Sequence, residues 1–163
     1  QHVVIVGYGS IGKKCAALLS NVGCRITGVK RTLTGTKAPH VDCVTFAELP
    51  SVLADADHVV LILPGDSSTD GIITREHLKA MNCSAVIHNI GRGNCIKEKN
   101  LVWALENDEI RGAALDVFET EPLPESSKLW ELENVLITPH STCFYDEYGY
   151  LFADEVAEKL HSL

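Results

Sequence analysis

Two rhythms of apolar and polar positions alternate along the chain, and the switches between them outline its elements. Short β-branched or continuously apolar runs over residues 2–7, 25–29, 41–46, 58–63, 85–90, 112–115 and 135–138 predict strands. Pro64 stops the fourth run and Gly91 the fifth. Helical spacing separates them. Ile11, Cys15, Leu18 and Leu19 predict a helix over 11–21, ended by Gly23. A brief helix is expected over 46–54. Another starts at Thr74, as its cap, with Glu76 in the first turn, and a further one covers 97–107. Tyr148, Leu151, Phe152, Val156 and Leu160 predict a closing helix over 146–163. Residues 120–130, rich in Pro, Ser and Glu, read as an ordered loop because a strand follows. Strands alternating with helices predict an α/β fold. Its form would be a doubly wound parallel sheet with right-handed crossovers, a Rossmann-type three-layer domain.

Composition narrows the picture. The 163 residues supply one domain with one sizeable core, and 45% hydrophobic residues are ordinary for a globular protein. No apolar run reaches bilayer-spanning length, and no signal-peptide pattern opens the chain. The chain begins directly on a strand at Gln1, which reads as a fragment of a longer protein. A net charge of −8 disfavours a nucleic-acid or anionic-membrane partner. The six cysteines form no Cys-x-x-Cys pair. Reduced, buried thiols in a cytoplasmic protein are expected rather than a disulfide framework or a metal site.

The sharpest local signal is Gly7-Tyr8-Gly9-Ser10-Ile11-Gly12, between the first strand and the first helix. Glycine at 7 permits a tight turn, at 9 a close approach to a pyrophosphate, and at 12 close helix–strand packing. The phosphate then meets free N–H groups at the helix N-terminus. A carboxylate ordinarily ends the second strand and binds the adenine ribose diol. Here Val29-Lys30-Arg31-Thr32 stands there, with no acid. Lys30 and Arg31 would attract a 2′-phosphate and Thr32 could hydrogen-bond it, so NADP is the expected cofactor. NAD is the alternative if the two cations are only solvated surface charges.

Three later residues carry the chemistry. Arg92, between Gly91 and Gly93, and His140, after Pro139, each follow the end of a predicted strand, where open α/β sheets bind ligands. A guanidinium there can hold a carboxylate by two bonds, and an imidazole can pass a proton to a carbonyl oxygen as hydride reaches its carbon. Glu121 is the chosen partner that would favour the protonated imidazole and fix its tautomer. Each residue alone reads as an ordinary surface group. Together, at strand ends of one sheet, they read as a site for hydride transfer to a 2-keto acid.

With these motifs the chain resembles the cofactor-binding domain of the D-isomer-specific 2-hydroxyacid dehydrogenases. The likeness runs from Val3 to about His140. It includes the glycine turn, Leu63-Pro64 with Thr69 and Gly71, Asn89-Ile90-Gly91-Arg92-Gly93, residues 112–119, Glu121-Pro122-Leu123 and Thr138-Pro139-His140. The resemblance implies that Arg92 binds the substrate carboxylate or keto oxygen, that His140 is the acid/base and that Glu121 is its partner. It implies that Asp116 contacts the nicotinamide carboxamide and that Pro64 lies along the cofactor, with Leu63, Thr69, Ile90 and Gly91 beside it. It further implies a small 2-keto or 2-hydroxy acid substrate and a homodimeric full-length protein. The substrate domain would be absent from this chain, with residues 141–163 leading back toward it.

Some positions depart from the family pattern. Lys97 stands where an acid usually starts the helix after Gly-Arg-Gly. Ser141-Thr142-Cys143-Phe144-Tyr145 is bulkier than usual, and Gly65 and Asp66 lie near the expected cofactor path. A second reading is a non-catalytic dinucleotide-sensing module of the corepressor type, which shares this domain. A third, a methyltransferase-type Rossmann domain, has no use for Arg92, Glu121 and His140.

Overall fold

A computed structural model describes residues 1–33, 40–142 and 147–161. Seven parallel strands form one sheet in the order β3-β2-β1-β4-β5-β6-β7. They are β1 (His2–Val6), β2 (Arg25–Lys30), β3 (Val41–Thr45), β4 (His58–Leu61), β5 (Val86–Asn89), β6 (Gly112–Leu115) and β7 (Val135–Ile137). The order reverses direction between β1 and β4, so loops leaving these two strands diverge and open a crevice at their carboxyl ends.

The helices are α1 (Ser10–Asn21), α2 (Leu49–Leu53), α3 (Arg75–Ala80), α4 (Glu98–Glu106) and α5 (Tyr148–His161). On one face Val4, Val6, Val59, Leu61, Ile87 and Leu115 meet α2, α3 and α4 through Leu53, Leu78 and Leu101. On the other, Val3, Ile5, Ile26 and Val60 meet Ala16 of α1. Side chains alternate along each strand, so every fully buried strand feeds both cores, which explains its unbroken apolar run. Thr74 caps α3 as expected, its hydroxyl accepting from the His77 N–H. Among the described residues no helix is long and apolar enough to cross a membrane.

Four details differ from the sequence expectation. The helix over 46–54 divides into a 3-10 turn, Phe46–Glu48, followed by α2. Of the apolar positions expected to face the sheet from α1, Ile11 is 63% exposed and Leu18 70%. The helix instead buries Gly12 and Ala16, with Cys15 and Leu19 partly covered. Gly12 lies so close to the turn that a Cβ there would stand 2.7 Å from the Gly7 carbonyl oxygen, and that contact sets which face turns inward. In α5, Tyr150, Leu151 and Phe152 are exposed, whereas the ends of the 146–163 expectation and the side chains of Val156 and Leu160 lie outside the described residues. Of the five cysteines described, all free, Cys95 is buried, Cys83 exposed and the rest intermediate, so burial of the thiols is less complete than composition implies.

Candidate active site

The crevice beyond β1 and β4 is a cleft of about 540 Å³, walled by Gly7, Gly9, Lys30, Arg31, Leu63 and Pro64 among others. The three glycines of the adjoining turn do different work. Gly7 has φ +103°, and a Cβ there would stand 2.3 Å from the Ile62 carbonyl oxygen. Gly12 meets the chain as described. Around Gly9 nothing lies within 4 Å of the Cβ position. The protein leaves space there, beside the first turn of α1 with Ser10, Ile11 and Gly12, where free N–H groups favour an anion. That open cradle fits a dinucleotide pyrophosphate.

Tyr8 lines the cleft, yet its ring is buried, lying over Gly28, where a Cβ would come within 2.6 Å of the ring. Burial, then the nearby Cys43, pushes the phenol pKa up. Thr69 is buried too. Its hydroxyl donates to the Pro64 carbonyl at 2.6 Å and so shapes the loop that carries Pro64. Arg31 reaches across the mouth of the cleft, donating to Ser68 Oγ at 2.7 Å; Ser68 Oγ donates in turn to Asp66 at 2.5 Å. The bonds from Ser68, together with the Arg31 charge, hold the Asp66 carboxyl below its ordinary pKa. Lys30 is half-buried on the same wall. Thr32 is exposed and does not line it.

Arg92, Glu121 and His140 lie at the carboxyl ends of β5, β6 and β7. Asn89, buried at the end of β5, shapes the Arg92 turn: its Nδ2 donates to the Arg92 carbonyl, and its Oδ1 accepts from the Gly91 N–H. A Cβ on Gly91 would stand 2.7 Å from the Leu63 nitrogen, and one on Gly65 would stand 2.9 Å from Arg92 Cγ. Glycine at 65, a departure from the family pattern, therefore makes room for the arginine. Ile90 is 43% exposed beside it.

His140 Nδ1 lies 2.7 Å from Glu121 Oε2, and the Phe118 N–H donates to Glu121 Oε1 at 3.0 Å. A carboxylate only accepts, so the first bond places the imidazole proton on Nδ1 and leaves Nε2 to exchange a proton with a substrate. Burial pushes the Glu121 carboxyl pKa up. The bonds from His140 and Phe118, with the charges of His140 and Arg92, outweigh it and hold the carboxyl below its ordinary value of 4.5.

This gives a pH prediction. Because the folded pKa is depressed, the stability Glu121 contributes is complete above its unfolded value and is lost as pH falls through the lower folded one. Urea midpoints measured down a pH series should fall over that window in the wild type. In Glu121→Gln that component of the fall should vanish; an identical pH profile would show that the carboxylate is not paired.

Residues 1–142 match the family model described as D-isomer specific 2-hydroxyacid dehydrogenase, NAD binding domain. The chain belongs to this family. It is 35% identical to glyoxylate reductase of Pyrococcus furiosus over 98% of this chain and 47% of that protein. Among solved structures, a D-isomer specific 2-hydroxyacid dehydrogenase from Xanthobacter autotrophicus Py2, in complex with NADPH and MES, superposes with a TM-score of 0.81. It is 37% identical over 85% of this chain and 44% of that one. NADPH-dependent glyoxylate/hydroxypyruvate reductase from Sinorhizobium meliloti, in complex with NADP and sulfate, gives 0.86 at 29% identity, over 99% of this chain and 53% of that one. The chain thus spans about half the length of these relatives.

Within this 2-hydroxyacid dehydrogenase domain, several contacts between site residues carry no signal in the local sequence. Lys97 is the N-cap of α4 and offers no side-chain cap, but Glu98 keeps an acid in the first turn and Glu119 adds a carboxylate from another loop. It accepts from the Glu98 N–H at the start of α4, and its other oxygen pairs with Lys97 at 3.2 Å. Asp116, expected from the resemblance to contact the nicotinamide, is 4% exposed, and its carboxylate accepts from Thr138, Ser141 and Thr142, on both sides of His140. Asp66 and Ser68 hold Arg31. Of these two, the sequence singles out Asp66 alone, as a departure and not as a partner of Arg31.

Proposed function

We propose that the full-length protein reduces a small 2-keto acid to the 2-hydroxy acid with NADPH, and that this chain is its dinucleotide-binding domain. The observation that carries the reading is the Nδ1 bond from His140 to Glu121, within the field of Arg92. The dinucleotide supplies the hydride. Arg92 binds the substrate carboxylate or keto oxygen. Protonated His140 gives its Nε2 proton to the keto oxygen as the carbonyl carbon is reduced, and the neutral ring, still held through Nδ1, takes a proton from solvent. In the reverse direction Nε2 removes the hydroxyl proton. Glu121 stabilises the imidazolium and keeps its ring plane fixed.

Preference for NADPH is supported by Lys30 and Arg31 on the cleft wall and by the lack of any acid over 30–40. The NADPH and NADP bound by the two solved relatives point the same way. A separate substrate domain, reached through residues beyond 140, and a homodimer complete the proposed protein. The free cysteines fit a reducing compartment such as the cytoplasm.

The test is consumption of NADPH by the full-length protein on adding glyoxylate, hydroxypyruvate or pyruvate, with calorimetric titration of NADPH and NADH. Arg31→Ala should weaken NADPH binding by about 10- to 100-fold, the loss of charge-assisted bonds to a phosphate, and leave NADH unchanged. Equal wild-type affinities would reject the 2′-phosphate site. Absence of reduction with every acid would reject the activity.

A further inference from the structure

The loop that carries His140 is held in an unusual way. His140 has φ +52°, a left-handed conformation that is uncommon for a residue with a Cβ. The Glu121 bond holds the imidazole but not the backbone. On either side of His140 the chain bends back to one buried carboxylate, that of Asp116. Its Oδ1 accepts from the Thr138 hydroxyl at 2.6 Å, the Ser141 N–H at 3.0 Å and the Thr142 N–H at 3.3 Å. Its Oδ2 accepts from the Thr142 hydroxyl at 2.7 Å, and otherwise has only the Thr142 N–H at 3.4 Å among the described residues. The two oxygens are therefore unequally served. Loss of the Thr138 hydroxyl leaves Oδ1 two N–H donors, whereas loss of the Thr142 hydroxyl leaves Oδ2 one long, poor bond. Loss of a short bond to a carboxylate this buried is costly, and a shift of the segment that admits water lowers that cost.

We propose that Thr142 is a positioning residue for His140. Its hydroxyl ties the segment leaving the histidine to Asp116, and so fixes the left-handed backbone that presents the imidazole to Glu121. Ser141 and Thr142 are part of the stretch whose bulk departs from the family pattern, and the clamp gives the threonine a use that a small apolar residue would lack. The inference rests on His140 being the acid/base. Its test therefore carries one readout that depends on turnover and one that does not.

In the full-length protein, Thr142→Val keeps the shape and removes the donor, and Thr142→Ser restores the donor. Thr142→Val is expected to lower kcat by about 10-fold, with KM for the keto acid unchanged, because the proton donor is misplaced while substrate binding is kept. Thr142→Ser is expected to recover most of the loss. Independently, in selectively ¹⁵N-histidine-labelled protein, the His140 Nδ1 proton resonance should broaden or vanish in the valine variant and return in the serine variant. Unchanged kcat and an unchanged Nδ1 resonance would overturn the proposal. A lower unfolding temperature without either change would do the same, since it would show a purely structural hydroxyl. If the wild type reduces no keto acid, the functional reading fails, and the Nδ1 signal alone still decides the clamp. Should the valine variant not fold, the serine variant and Thr138→Val decide it. Both should keep the Nδ1 signal because Oδ2 retains its hydroxyl, and its loss in either would overturn the unequal sharing on which the proposal rests.

Discussion

Replacing His140 with glutamine in the full-length protein is expected to lower kcat for keto-acid reduction by about 10²- to 10⁴-fold, the range that a positioned proton donor supplies. Glutamine keeps a hydrogen-bonding end of similar reach but cannot exchange a proton near neutral pH. NADPH affinity should change by no more than about twofold, because a loss confined to the transition state appears in kcat and not in binding. The geometry supports this separation: the cleft walled by Gly7, Gly9 and Arg31 does not include His140. Single-turnover reduction compared with calorimetric NADPH titration measures the two effects apart. A variant within tenfold of wild-type kcat would reject His140 as the acid/base. A parallel loss of NADPH affinity would instead place the histidine in cofactor binding.

Much of this site is legible along the chain, and the part that is not has a common cause. The glycine turn, Gly91-Arg92-Gly93 and Thr138-Pro139-His140 can be read because each packs its physical requirement into consecutive residues: a tight turn, a narrow gap, a strand end. The supports of the site are spread across the fold. Glu119 reaches the start of α4 over 21 residues of sequence, Arg31 meets Ser68 over 37, and Thr142 meets Asp116 over 26. Nothing local marks these residues as partners; the parallel sheet brings their loops together by ending every strand on the same side. The misread face of α1 has a related origin. Periodicity ranks residues by hydrophobicity, but this helix approaches the sheet through Gly12 and Ala16, where smallness decides, and Ile11 and Leu18 are left outside. Tyr8 is the converse case. Its place in a phosphate turn suggests exposure, and the groove that buries its ring exists because Gly28, 20 residues later, lacks a side chain.

The same distinction between glycines that face protein and glycines that face open space yields the second large effect, at Gly93. A Cβ there would stand 1.8 Å from the Phe118 carbonyl oxygen, 1.9 Å from its carbon and 2.6 Å from the Glu119 nitrogen. All three atoms are backbone, so no side chain can swing aside, and the loop after β5 must separate from the loop after β6. That second loop carries the Phe118 N–H bonded to Glu121 and the Glu119 carboxylate that caps α4. Gly93→Ala is therefore expected to destabilise the fold by about 3 kcal/mol or more, at the upper end for overpacking. With the urea dependence usual for a small domain, this lowers the unfolding midpoint by about 1–3 M. Gly9→Ala is the control. Its Cβ meets nothing within 4 Å, so stability should stay within about 1 kcal/mol while dinucleotide affinity falls, because the methyl group occupies the space left for the phosphates. Urea unfolding and NADPH titration of both variants separate the two roles. If Gly93→Ala were as stable as the wild type, the loops bearing Arg92 and Glu121 would not be in contact. If Gly9→Ala bound NADPH normally, the open space would not be the phosphate site.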